Sequence, residues 1–278
     1  MYDLSGKVAI VTGCGRPGGI GGGIALRLAK EGADVALVDI CRPYEPDAEY
    51  HRGTWEGLLE RKREIEALGV RCLPVKCDVT NEKDVDEMVE AVVREFAHID
   101  ILCNNVGIGP PKSGGPLLEV DAFYWDEGMA VNVKGAHLCS RAVAKRMIEQ
   151  GTGGKIINTS SQAGQRPFPY LGVYCSAKAA LINYTKVLAL ELAPYKINVN
   201  AVCPGTIETE TLKEAFTRMA EQYLGITYEQ LIQAMPPIPL GRLQTPEDVA
   251  NLVIWLASAE SDYVTGEAIL TTGGQTMA

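Results

Sequence analysis

Lys7-Val8-Ala9-Ile10-Val11-Thr12, a run from Gly13 to Gly23 holding seven glycines, and then Ile24-Ala25-Leu26-Arg27-Leu28-Ala29 form the stretch whose reading decides the fold. The first six residues are a short apolar run, the mark of a strand buried on both faces of a parallel sheet. The last six read as a helix, stopped by Gly32. Strand, glycine loop and helix together make a site for a dinucleotide pyrophosphate. Glycines let the backbone approach the phosphates, and the helix N–H groups face them. The literal G-x-G-x-x-G at Gly13, Gly15 and Gly18 is weak evidence by itself; the strand before it and the helix after it carry the reading.

Outward from this unit the alternation continues. Asp34–Asp39 is a second strand, and its last residue, Asp39, sits where a carboxylate accepts hydrogen bonds from adenosine ribose hydroxyls. The same charge repels the 2′-phosphate of NADP, so NAD is the expected cofactor, with Arg16 and Arg42 as the residues able to soften that preference. Residues 41–53 are polar, rich in turn formers and longer than a usual strand-to-helix connection, so they read as a surface insertion. A helix over 54–68, a strand over 70–78, a helix from Asn81 to Ala97 and a strand over 99–104 follow. Then come a helix over 121–149, a strand at 156–159, a helix carrying Tyr174, Ala177, Leu181 and Tyr184, and a strand over 196–202. A helix over 245–257 opens at Thr245-Pro246, and Ala268–Thr271 is the last strand. The pattern predicts an α/β fold, a doubly wound parallel sheet with helices on both faces, as one domain over 1–278.

Within it, Ser161 ends the fifth strand, and Tyr174 and Lys178 lie four residues apart on one helix face. A free tyrosine, with a pKa of about 10, is a poor base at neutral pH. A lysine ammonium beside it favours the phenolate by on the order of 4 kcal/mol at about 4 Å, an upper bound of roughly three pKa units. That brings the phenol into the range of a useful acid or base. Ser161 is placed to donate a hydrogen bond to the same alcohol or carbonyl oxygen. Chance deserves weight here, because eleven tyrosines yield roughly 0.7 accidental Tyr-x-x-x-Lys pairs at average lysine content. The serine thirteen residues upstream and the N-terminal glycine loop lift the pair above accident.

Composition narrows the alternatives. The net charge of −9 and pI near 5.0 leave no basic block for a nucleic acid. No apolar run reaches membrane-spanning length, and Met1–Lys7 has no signal-peptide pattern. The eight cysteines form no C-x-x-C pair and no metal-ligand spacing with the three histidines, so reduced thiols, no metal and a cytoplasmic location are expected.

The motifs Thr12-Gly13, Gly19-Ile20-Gly21, Asp78-Val79, Asn104-Asn105-Val106-Gly107, Asn132, Ser160-Ser161, Tyr174 with Lys178, and Pro204-Gly205 run through nearly the whole chain. In this set and order the sequence resembles the short-chain dehydrogenase/reductase family. Two departures stand out. Five residues separate Gly13 from Gly19 where the family has three, and Val106 stands where it usually has alanine.

The resemblance implies a seven-stranded Rossmann-type sheet and a homo-oligomer, often a tetramer. It implies reversible hydride transfer between NAD and a secondary alcohol or ketone, with Asn132, Ser161, Tyr174 and Lys178 catalytic. Asp78 and Val79 would contact adenine, and Asn105, Val106 and Gly107 would line the cofactor. Pro204, Gly205 and Thr206 would lie along the nicotinamide, with Ile207 beside them and Thr209 on the carboxamide or phosphate. Asn132 would bend its helix and bind a water linking Lys178 to solvent. Some members carry an insertion at 41–53, including ones linked to the redox cofactor mycofactocin. Gln162, Phe168 and Tyr170 are the expected substrate walls. Residues 208–240, with Phe216, Met219, Tyr223, Tyr228 and the proline cluster 235–239, read as a lid. The apolar walls suit a cyclic or hydrophobic substrate. Two other functions compete with this one. A 3-oxoacyl-carrier-protein reductase would need a basic docking patch and usually NADPH. A dinucleotide-binding sensor or scaffold would have no use for the Ser-Tyr-Lys-Asn set.

Overall fold

The structure is a computed structural model that describes residues 2–43, 53–109, 114–207 and 209–277. Most of the 41–53 insertion, residues 110–113 of the Gly-Pro-rich segment and residue 208 at the start of the expected lid lie outside the described residues.

Seven strands form one parallel sheet: β1 Val8–Thr12, β2 Asp34–Asp39, β3 Cys72–Lys76, β4 Ile101–Asn104, β5 Gly154–Thr159, β6 Ile197–Pro204 and β7 Ala268–Thr271. Their order is β3-β2-β1-β4-β5-β6-β7. The chain therefore reverses its direction of travel between β1 and β4, and ligand crevices of such sheets open at that switch point. Every residue of β1 is buried, and its side chains alternate between two cores. Ala9 and Val11 face one side with Ile24 and Leu28 of α1 (Ile20–Lys30) and Val249 and Val253 of α9 (Pro246–Ala257). Val8 and Ile10 face the other side with Val85 and Met88 of α3 (Glu82–Phe96), Val143 of α5 (Gly135–Gln150) and Leu192 of α6 (Gly172–Leu192). Helices thus cover both faces, and α2 (Trp55–Glu66) adds Leu58 and Ile65 to the first core.

Three local details differ from, or refine, the sequence expectation. First, α1 begins at Ile20, four residues before the expected start, so Gly21–Gly23 belong to the helix. Close packing accounts for glycine at these helical positions: a Cβ on Gly21 would sit 2.3 Å from the Gly13 carbonyl oxygen, and one on Gly23 would sit 3.0 Å from Pro246. Glycine, usually a helix breaker, is tolerated because it lets the helix touch β1. Second, the expected helix over 121–149 is a composite. It joins α4 (Ala122–Met129) to α5 through a π-turn at Ala130–Lys134 that contains Asn132. Third, 208–240 contains α7 (Glu210–Met219), a π-turn at Ala220–Leu224 and α8 (Tyr228–Ala234). The Thr245-Pro246 signal does start α9, with a reciprocal capping box between Thr245 and Asp248.

All eight cysteines are free thiols. Among the described residues no helix is long and apolar enough to cross a membrane, and no cluster of side chains could hold a metal ion.

Candidate active site

A cavity of about 650 Å³ runs along the C-terminal ends of β1, β2, β4, β5 and β6. At its centre β5 delivers Ser161 and α6 delivers Tyr174 and Lys178, and all three line it. Ser161 caps a short helical turn: its Oγ accepts from Ala163 N at 3.1 Å, which leaves its own proton to donate into the cavity. Ser160 Oγ donates to the Lys178 carbonyl at 2.9 Å, tying α6 to the end of β5. A Cβ on Gly164 would lie 2.7 Å from the Lys178 carbonyl carbon, so the turn also needs a glycine there.

Lys178 is 2% exposed, donates from Nζ to the Thr159 carbonyl at 2.9 Å, and holds Nζ 5.5 Å from the centre of the Tyr174 ring. Burial pushes its ammonium down from 10.5 to about 8, because desolvation disfavours the charged form. Behind it stands Asn132. Its Nδ2 donates to the carbonyls of Ile108 and Gly128, both at 2.8 Å. The Gly128 carbonyl belongs to the preceding turn of its own helix, which accounts for the π-turn there. Asn132 Oδ1 is buried without a hydrogen-bond partner in the protein. A Cβ on Gly107 would meet both Lys178 Nζ (2.9 Å) and Asn132 Oδ1 (3.1 Å), so both atoms face one small space that glycine keeps open.

Most of the residues expected to hold a dinucleotide face the same cavity. Gly13, Gly19, Ile20, Asp39, Asp78, Val79, Asn105, Val106 and Gly107 line the cavity, as do Pro204, Gly205, Thr206, Ile207 and Thr209. Gly19 caps α1 with no side-chain hydrogen bond, leaving the first helical N–H groups for an anion. Gly21 does not line the cavity; its part is the close approach of α1 to β1. Asp39, 8% exposed, accepts from Gly15 N at 2.8 Å and from Cys41 N at 3.3 Å. The two extra residues of the glycine loop therefore fold over this carboxylate, and the Gly15 carbonyl is bound in turn by Thr54 N at 3.1 Å. Arg42 is turned away, paired with Asp78 at 2.7 Å. Thr209 Oγ1 accepts from Leu212 N at 3.3 Å and so also caps α7.

In the other half, Phe168, Pro169, Tyr170, Leu212, Phe216, Met219 and Met235 line the cavity. Gln162 lines it too, but its amide is committed elsewhere. Its Nε2 donates to Gln275 at 3.0 Å and its Oε1 accepts from Thr276 at 2.7 Å. Tyr228 is not among the lining residues.

Thr12 and Asn104 stand in the motifs above, but the supports they provide are not legible there. Thr12, 1% exposed, accepts through Oγ1 from Asn105 N (3.0 Å) and Val106 N (3.2 Å), locking the loop after β4 to β1. Asn104 donates to Ser140 (2.8 Å) and Asn158 (2.9 Å), and Asn158 donates to Thr185 (2.9 Å). This buried polar chain fixes β4 and β5 to the helices carrying Asn132 and Tyr174. Its one sequence signal is an asparagine next to the apolar runs Ile101–Cys103 and Ile156–Ile157.

Known proteins resemble this chain over nearly its whole length. A family model described as enoyl-(acyl carrier protein) reductase, of the adh_short_C2 type, matches residues 13–276. The chain is 40% identical over 283 residues to cyclohexanol dehydrogenase of Rhodococcus sp. (strain TK6), across 98% of this chain and 97% of that protein. It is 37% identical over 269 residues to the (S)-acetoin-forming diacetyl reductase of Staphylococcus epidermidis, across 96% and 98%. The crystal structure of carveol dehydrogenase from Mycobacterium avium in complex with NAD superposes with a TM-score of 0.90 at 30% identity, over 99% of both chains.

Proposed function

The chain belongs to the short-chain dehydrogenase/reductase family, and from that premise we propose that it is an NAD-dependent oxidoreductase for a cyclic or otherwise hydrophobic secondary alcohol and its ketone. The observation that carries the substrate class is a set of residues lining the same cavity as Tyr174: Phe168, Tyr170, Leu212, Phe216, Met219 and Met235, none of them charged. A polyol would find few partners there, whereas a ring would bury its apolar surface. Its relatives include cyclohexanol and carveol dehydrogenases but also galactitol and sorbitol dehydrogenases, so the choice of a ring over a polyol rests on the lining.

The cofactor, when bound, supplies the hydride acceptor or donor. The open N–H groups of α1 and the glycines at 13 and 19 would hold its pyrophosphate, and Asp39 its adenosine ribose. Asp78 and Val79 would meet the adenine. Asn105–Gly107 and Pro204–Thr209 would flank the remainder. Asp39 is the reason for naming NAD rather than NADP: its carboxylate is held at the end of β2 by two backbone N–H groups, where it would meet a 2′-phosphate with like charge.

The protein's own part is proton handling. Ser161 donates to the substrate oxygen. Tyr174 exchanges the proton with that oxygen. The Lys178 ammonium favours the phenolate. Asn132 Oδ1, beside Lys178 Nζ, holds a water that connects the lysine to solvent. Residues 208–240 act as a lid whose closure excludes water from the hydride transfer, and a homo-oligomer is part of the proposal. An acyl-carrier-protein substrate is disfavoured, because carrier docking calls for a basic patch and this chain carries −9.

A panel of cyclic alcohols, acyclic alcohols, polyols and an acyl-carrier thioester, each with NAD and NADP, tests the reading. Best kcat/KM for a cyclic alcohol with NAD is expected. A preference for polyols or the thioester would overturn it.

A further inference from the structure

Tyr170 is strained. Its φ of +65° lies in the left-handed region, which a bulky non-glycine residue rarely adopts and holds only where its surroundings enforce it. Two contacts enforce it here. The Gly115 N–H donates to the Tyr170 carbonyl at 2.8 Å. The Tyr223 ring, from the π-turn after α7, stacks on the Tyr170 ring with centroids 5.9 Å apart and planes 10° apart. Gly115 is itself shaped around that stack. At φ +140°, a Cβ on it would lie 2.8 Å from the Tyr223 ring carbon and hydroxyl. Three segments far apart in sequence thus converge on one ring pair. Tyr170 lines the cavity; Tyr223 does not.

We propose that Tyr223 is a positioning residue that holds Tyr170 as the limiting wall of the substrate pocket, and so sets the preference between small and bulky alcohols without touching the substrate. The inference rests on the alcohol dehydrogenase reading above. The flat face does the positioning, since a stacked pair depends on ring against ring and not on the hydroxyl. Loss of the ring removes what opposes the backbone strain at Tyr170. That residue then relaxes away from the left-handed conformation and the wall gives.

The test is a ratio: kcat/KM for the bicyclic alcohol borneol over that for cyclopentanol, with NAD. Tyr223→Leu keeps apolar bulk but loses the flat face, and should raise the ratio about tenfold or more, the low end of what one methylene of pocket space is worth. Tyr223→Phe keeps the stack and should leave the ratio at the wild-type value. Tyr170→Gly removes the wall and its strain together and should raise the ratio as Tyr223→Leu does. With Tyr170→Gly in place, Tyr223→Leu should add nothing further, as expected of two residues acting through one contact. Equal ratios for Tyr223→Leu and Tyr223→Phe would overturn the proposal. So would a fall in kcat/KM by the same factor for both alcohols, which is what a merely structural role predicts. If Tyr223→Leu does not fold, an unchanged ratio in Tyr170→Gly overturns the proposal. Wild-type protein with no turnover on any alcohol would instead defeat the functional reading itself, and this inference with it.

Discussion

Replacing Lys178 by methionine should stabilise the protein while disabling it. Lys178 is 2% exposed, and burial moves its ammonium from 10.5 to about 8. A shift of that size corresponds to roughly 3 kcal/mol of unfavourable folding energy at pH 7, where both states hold the proton. The variant leaves the Thr159 carbonyl without its 2.9 Å donor, which costs about 1 kcal/mol. The net expectation is a gain of about 2 kcal/mol, or ~4–8 °C in Tm for a chain of this size.

The pH dependence gives the sharper test. Between about 8 and 10.5 the unfolded chain still holds a proton that the folded chain has released. Stability of the wild type attributable to this group therefore rises with pH across that window. The advantage of the variant is greatest below pH 8, shrinks by about 1 kcal/mol between pH 7 and pH 9, and reverses above the unfolded value, where only the lost hydrogen bond to Thr159 remains. Burial also pushes the thiols of Cys72, Cys77 and Cys103 up to about 12. Those groups lose stability from pH 9 upward in both proteins and cancel in the difference. Urea denaturation of cofactor-free protein at pH 7 and pH 9 measures it. A variant less stable than wild type, or an advantage that does not change with pH, would refute the reasoning.

Other predictions are independent of this one. Tyr174→Phe should cut kcat by orders of magnitude while NADH still binds, read by turnover and by NADH fluorescence; near-normal turnover would remove Tyr174 from its role. The wild type should prefer NAD over NADP in kcat/KM, and Asp39→Ala should narrow that ratio; if NADP is already preferred, Arg16 or Arg42 governs and the cofactor reading is wrong. Hydrogen exchange across 208–240 should slow more with NADH plus a substrate analogue than with NADH alone, since ordering the backbone costs about 1–2 kcal/mol per residue. Equal protection in the apo protein would show that the segment is fixed structure.

What could be read from the sequence is what depends on neighbours in the chain. Five of the seven strands are runs of mostly buried residues, the spacing of Tyr174 and Lys178 follows from one helix, and Thr245-Pro246 starts α9 because a cap is local. What could not be read depends on distant partners. Gly21 must be a glycine because Gly13 and Asn105 leave no room for a Cβ there. Gln162 was expected to meet substrate, yet its amide is bound by Gln275 and Thr276, more than a hundred residues away. Gly15 reaches Asp39 only because the glycine loop, two residues longer than usual, bends back across the end of β2. Spacing within a segment carries none of that information.

The central claim is direct hydride transfer between substrate carbon and nicotinamide, with Tyr174 handling the proton. Cyclohexanol deuterated at the carbinol carbon, turned over with NAD, tests it most directly by mass spectrometry of the recovered cofactor. The account predicts one deuterium per NADH formed, and none above background with Tyr174→Phe. Deuterium released to solvent, or labelled NADH formed equally well by Tyr174→Phe, would contradict it.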